Sequence, residues 1–296
     1  MGDVCVIYDV RQATIYRYES PVSYAHHVLR LTPIDRDGQR IHAAALDVSP
    51  TPVERQEGRD FFGNRITRIV LDQPHDTLTV RLAARVTVDR ADTEPLLVPA
   101  WERVRDIAFA SADLTPMSPA HYLFPSRQVA LDPDIRAYTA ASFSAERPVL
   151  AGATELMRRI KADFTYQPGT TTVMTPPSVA FAQRRGVCQD FAHVMISGLR
   201  GLGLPAAYVS GYLRTIPPAG RERLEGADAM HAWVLIWCGP GIGWRGFDPT
   251  NSMVAGNDHV VLAIGRDYAD VAPIDGVILA SGEQHLEVSV NVIPLQ

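Results

Sequence analysis

Cysteine is scarce, with three residues in 296 (Cys5, Cys188 and Cys238) and no CxxC pair, which excludes both a disulfide framework and a zinc knuckle. No apolar stretch approaches the ~20 residues of a helical membrane span. The start of the chain, Met1 to Ser20, lacks the charged-then-apolar layout of a secretory signal. Runs of Lys and Arg are missing too. The 28 basic and 33 acidic side chains are mixed along the chain for a net charge of −5, so no electrostatic grip on nucleic acid or an anionic membrane is expected. No internal repeat or low-complexity tract is visible. These absences lead to a cytoplasmic globular protein, in whose reducing surroundings a lone cysteine is either core packing or a nucleophile.

What is present is core-forming material: 46% hydrophobic against 21% charged residues, enough for one large domain or two ordinary ones. The first third reads as β-structure. Leu78, Val80, Leu82, Ala84, Val86 and Val88 alternate with Thr79, Arg81, Ala83, Arg85 and Thr87, the period of two that gives a strand one buried and one wet face. Phe62-Gly63-Asn64 separates Glu54–Phe61 from Arg65–Leu71 as a hairpin turn does. Thr14–Tyr18, His27–Leu31 and Ala43–Val48 read as further short strands. The expected organisation is a β-sandwich-like domain over residues 1–94, an irregular Pro-rich linker over 95–127 and a second domain over 128–296.

The second domain reads as α+β, helices first and antiparallel strands after. Asp132-Pro133 is an N-cap followed by proline at the first helical position. Leu150, Ala153, Met157, Ile160 and Phe164 form the stripe of an amphipathic helix. After Gly186, the residues Phe191, Met195, Leu199 and Leu202, with Ala192 and Ile196 beside them, give a face wide enough for a buried helix that ends in Gly201 and Gly203. Ala206–Leu213, His231–Trp237, Trp244–Phe247, Val260–Ile264 and His285–Val292 follow as strands.

Cys188 stands at the start of that buried helix, where unpaired N–H groups and a partial positive charge favour a thiolate and can receive an oxyanion. Taken alone, a buried structural cysteine is the plainer reading. His231 opens a strand 43 residues later, and Asp248 ends the next strand 17 residues beyond it. A hairpin of that length sets the carboxylate beside the imidazole, where it fixes the tautomer and stabilises the charged ring. Other residues carry less. His26 and His27 are adjacent on a strand and point to opposite faces. Cys238, Trp233 and Trp244 read as core, Asp190 as a structural partner at the helix start, and His193 as packing or surface. Arg214–Met230 reads as a loop running up to His231.

Gly186-Val187-Cys188-Gln189-Asp190-Phe191-Ala192, His231-Ala232-Trp233 and Phe247-Asp248-Pro249-Thr250-Asn251 resemble the three signature blocks of the bacterial transglutaminase-like superfamily. Tyr8 to about Val88 looks like the β-rich N-terminal domain of many bacterial members. Gly265 to Pro273 and Glu287 to Val290 look like their closing segment. The resemblance implies a papain-like core and a triad of Cys188 as nucleophile, His231 as base and acid, and Asp248 as orienting group. The Cys188 N–H would be one oxyanion donor and Gln183 a second. No metal or cofactor is implied. The implied activity is hydrolysis of a peptide or amide through a thioester, on an isopeptide or other unusual peptide bond, with a functional link to ATP-grasp peptide ligases. Transfer to an amine, as in a transglutaminase, and a non-catalytic binding module are the alternatives.

Overall fold

The structure, a computed structural model, describes residues 5–90, 97–215 and 228–295. Six strands come first: β1 (Val6–Val22), β2 (Tyr24–Leu29), β3 (Gln39–Ser49), β4 (Glu54–Arg59), β5 (Arg65–Leu71) and β6 (His75–Val88). Helices α1 (Trp101–Phe109), α2 (Pro133–Ala140) and α3 (Val149–Asp163) follow. Two short strands, β7 (Thr165–Tyr166) and β8 (Arg185–Gly186), flank α4 (Pro177–Gln183) and lead into α5 (Cys188–Gly201). The chain then forms β9 (Ala206–Leu213), β10 (Ala229–Trp237), β11 (Trp244–Asp248), β12 (Met253–Val254) and β13 (His259–Gly265). It closes with α6 (Tyr268–Val271), β14 (Ile274–Leu279) and β15 (Gln284–Leu295). The α+β expectation holds: helices pack on an antiparallel sheet ordered β12-β11-β10-β9-β13, preceded by a β-rich unit.

The expected boundaries do not hold in two places. The sandwich consists of the sheets β15-β1-β6-β3 and β14-β2-β5-β4, so both ends of the chain build it. β15 runs antiparallel along β1 from Ile7 opposite Leu295 to Tyr18 opposite Gln284. Residues 128–296 are therefore not one separate unit. A single core cluster joins Tyr8, Val10 and Val80 of the sandwich to Val290 and Val292 and to Tyr212, Val260 and Leu262 of the central sheet. The second correction concerns 95–127, of which 97–127 is described. It contains α1, whose buried Val104 joins the core beneath α3. Trp101 N donates to Arg147 O and Val149 N to Pro99 O, each at 3.0 Å. This segment is packed structure rather than a linker.

The sandwich also closes the edge of the central sheet. β13 is the last strand on that side, and its outer backbone groups are met by two side-chain amides. Gln39 accepts from Val261 N and donates to Val261 O, both at 2.8 Å. Asn64 does the same for Ile264, again at 2.8 Å in each direction. Behind the sheet lies α5, buried from Gln189 to Arg200. Burial of Met195, Ile196 and Leu199 contributes roughly 1.5–3 kcal/mol each. α5 crosses α2 so closely that a Cβ at Gly198 would collide with Thr139.

Candidate active site

Cys188 is the first residue of α5, and Asp190 organises the turn that presents it. Asp190 Oδ2 accepts from Val187 N at 2.7 Å, which satisfies the N-cap amide. The same oxygen accepts from Thr171 Oγ1 at 2.7 Å, and Gln189 Nε2 donates to Val173 O at 2.9 Å. The 171–173 segment is thereby tied to both sides of the turn that presents Cys188. Gly186 lies so near Asp190 that a Cβ there would meet its carboxylate at 2.5 Å, so this position accepts only glycine. The amides of Cys188 and Gln189, in the first turn of α5, have no helical carbonyl to bond. Asp190 thus has the structural part expected of it. His193 is buried rather than on the surface, and its Nε2 accepts from Tyr268 N at 3.2 Å.

The central sheet brings the other two residues to this point. β10 pairs with β11 from Val234 opposite Phe247 to Trp237 opposite Trp244, which carries Asp248 to the diagonal position from His231. His231 Nε2 lies 2.8 Å from Asp248 Oδ2, and the Cys188 thiol lies close enough to the imidazole to help raise its pKa. With Nε2 taken by the carboxylate, Nδ1 is the nitrogen left for the thiol. Burial by itself works against a charged ring here. The hydrogen bonds and charges of Asp248 and Cys188 outweigh it and push His231 up to about 10.

Asp248 is fully buried and held by five donors. Oδ1 accepts from the N–H groups of Thr250 (2.9 Å) and Asn251 (3.1 Å). Oδ2 is within reach of His231, of Asn251 Nδ2 at 2.7 Å and of His259 Nε2 at 3.4 Å. Burial raises a carboxyl's pKa, yet the bonds from His231, His259 and Asn251 hold this one well below the usual carboxylate range. Trp233 lies under the site, stacked on His231 at 6.2 Å and edge-on to His259 at 5.1 Å. A Cβ at Gly211 on β9 would collide with that indole and with the Val260 carbonyl.

The structure therefore brings Cys188, His231 and Asp248 together. Gln183 ends α4 and has no hydrogen bond to any of the three. Cys238 is buried core, its thiol pushed up to about 12 by burial, and Cys5 is exposed. Trp244 is packed against Tyr122. Most of Arg214–Met230, residues 216–227, lies outside the described residues. Among the described residues no cluster of metal ligands occurs, and no helix is long and apolar enough to cross a membrane. Sequence reasoning missed Asn251 and His259 as partners of Asp248. The signal for His259 is a lone imidazole between the turn Gly256-Asn257-Asp258 and the apolar run Val260–Ile264.

Residues 8–87 match the bacterial transglutaminase-like N-terminal region, and residues 136–249 match the transglutaminase-like superfamily. An uncharacterised protein of Mycobacterium tuberculosis is 37% identical over 298 residues, 98% of this chain and 93% of its own. Another from Mycobacterium leprae is 31% identical over 287 residues, 97% of this chain and 98% of its own. A 95-residue stretch is 36% identical to a Pseudomonas aeruginosa protein named protein-glutamine gamma-glutamyltransferase, covering 29% of this chain and 14% of that protein. In fold the chain is similar to the crystal structure of a candidate cysteine protease from Cytophaga hutchinsonii. The TM-score is 0.75 at 23% identity, over 98% of this chain and 92% of that one.

Proposed function

Because the chain belongs to the transglutaminase-like superfamily, we propose that it is a cysteine-dependent hydrolase of amide or peptide bonds. One observation carries this reading: the imidazole of His231 is hydrogen-bonded to the carboxylate of Asp248 and lies beside the thiol of Cys188. In the first half-reaction His231 takes the thiol proton and the sulfur attacks the carbonyl carbon. The new oxyanion is received by the free N–H of Cys188 at the start of α5. As the tetrahedral adduct collapses, the C–N bond breaks and the imidazolium gives its proton to the leaving amine. A thioester remains on Cys188. In the second half-reaction His231 takes a proton from water, the hydroxide attacks the thioester, and the acid leaves as the thiol is restored. Asp248 keeps the ring in the required tautomer throughout. No contact supports Gln183 as the second oxyanion donor, so the backbone donor is the one assigned.

The substrate proposed is a peptide with an ordinary or isopeptide bond, of the kind an ATP-grasp ligase makes. The three free cysteines support a cytoplasmic setting. The name of the Pseudomonas aeruginosa relative supports a second reading, in which an amine resolves the thioester. A peptide-library screen with and without dansylcadaverine, comparing wild type with Cys188→Ala, decides between them. Cleavage lost in Cys188→Ala supports hydrolysis, and dansyl incorporation supports transfer. Lys161 is the single lysine of the chain, so self-crosslinking adds little background. Turnover that survives Cys188→Ala refutes both readings.

A further inference from the structure

His259 has no part in the chemistry just described, yet it reaches the same carboxylate. It opens β13 and is 1% exposed. Its Nδ1 accepts from Gly256 N at 3.3 Å, which leaves the ring proton on Nε2, 3.4 Å from Asp248 Oδ2. Burial lowers its pKa against the pull of Asp248, so the ring stays neutral and donates without adding a charge.

The ring is itself held from two sides. Its edge packs against Trp233, the indole that also stacks on His231. From the sandwich, Arg90 Nη1 donates to the carbonyls of Gly256 (2.5 Å) and His259 (2.6 Å), and Arg90 N donates to Asn257 Oδ1 at 2.8 Å. The turn that aims His259 is thus fixed by Arg90, two residues beyond the end of β6.

We propose that His259 is a positioning residue: it holds Asp248 Oδ2 in line with His231 Nε2, and Arg90 anchors it from the sandwich. This rests on the reading of Cys188 and His231 as a reactive thiol–imidazole pair. Oδ2 faces three donors, and those on Asn251 and His259 lie beside the His231 bond and fix its direction. Without His259 the carboxylate has freedom to tilt toward Asn251, and the ring of His231 follows it away from the thiol.

The test uses the full chain with two readouts, the rate of Cys188 alkylation by iodoacetamide at pH 7 and the ring N–H proton of His231 by NMR. His259→Phe keeps a ring against Trp233 but removes the donor. His259→Asn keeps an acceptor for Gly256 but is too short to reach Asp248. His259→Gln places an amide N–H near the site of Nε2. The Phe and Asn variants should alkylate about tenfold more slowly and lose the low-field His231 proton, while Gln stays within about threefold of wild type and keeps it. If the Phe variant does not fold, Asn against Gln decides. Wild-type behaviour in the Phe or Asn variant overturns the proposal, as does a folded Gln variant as slow as Asn. A His231→Gln variant that alkylates like wild type would instead sink the thiol–imidazole reading. A His231 proton that still moves in His259→Phe would then support the positioning of Asp248 independently.

Discussion

Replacing Asp248 by Asn changes one atom of a carboxylate whose two oxygens both have named donors. Oδ1 is fixed by two backbone N–H groups, Thr250 at 2.9 Å and Asn251 at 3.1 Å. The new amide therefore keeps its oxygen there and turns its NH2 toward His231 Nε2 and Asn251 Nδ2, both of which are donors. To relieve the clash His231 must shift its proton to Nδ1, and the lone pair offered to Cys188 disappears. His231 stands at about 10 against an ordinary 6.5 although burial opposes it. At 1.36 kcal/mol per unit this is roughly 5 kcal/mol net of the burial penalty, so loss of the carboxylate makes the thiolate–imidazolium pair rarer, on the order of 10²-fold. In serine triads the same change costs about 10⁴ in kcat through the wrong tautomer. A cysteine pair, already partly charged, should lose less, about 10²-fold. The assay is the second-order rate of Cys188 carboxamidomethylation at pH 7, read by peptide mass, with the melting temperature measured alongside. A folded Asp248→Asn protein that alkylates within threefold of wild type would refute the reasoning.

Two further outcomes are expected. Burial holds His27 at about 4, and neither ring nitrogen has a hydrogen-bond partner. The unfolded chain takes up this proton as the pH falls through 6.5, while the folded one does not until about 4. Stability should therefore fall by up to about 3 kcal/mol across that window. Urea titrations at pH 7 and pH 5 should show a smaller loss in His27→Leu, and an equal loss would remove His27 as the cause. A chain ended at Pro273 lacks β14 and β15 and leaves open the edges of β1 and β2 that they pair with. It should show no cooperative thermal transition, whereas a sharp one would show that 1–94 folds without the C-terminal strands.

The residues that could be read from sequence were those whose surroundings are local. β6 was legible because each inward residue from Leu78 to Val88 is apolar, and α5 because its stripe is wide and its ends carry Gly186 and Gly201. β1 was seen only as Thr14–Tyr18 although it spans Val6–Val22. Its inward face includes Gln12 and Thr14, buried because Gln12 donates to Thr14 and accepts from Tyr212 OH. That partner is 200 residues away, so the alternation looked broken. α1 was missed because its apolar face is narrow and it has no side-chain cap. The proposed triad of Cys188, His231 and Asp248 was legible from the order and spacing of three blocks. His259 was not, because its partner lies across a sheet edge and its orientation depends on Arg90.

The two amides that close β13 set how the molecule behaves among its own copies. An open sheet edge is a template, since each strand added offers a fresh row of donors and acceptors to the next. Gln39 and Asn64 end that propagation, because a side-chain amide satisfies one N–H and one C=O and presents no new row. The strand so protected, His259–Gly265, is buried along its whole length and is low in charge and rich in β-branched residues, the composition that stacks into fibrils when bared. Colloidal stability therefore depends on the docking of the sandwich. Conditions that loosen it, before any part of the central sheet melts, bare a strand of that composition.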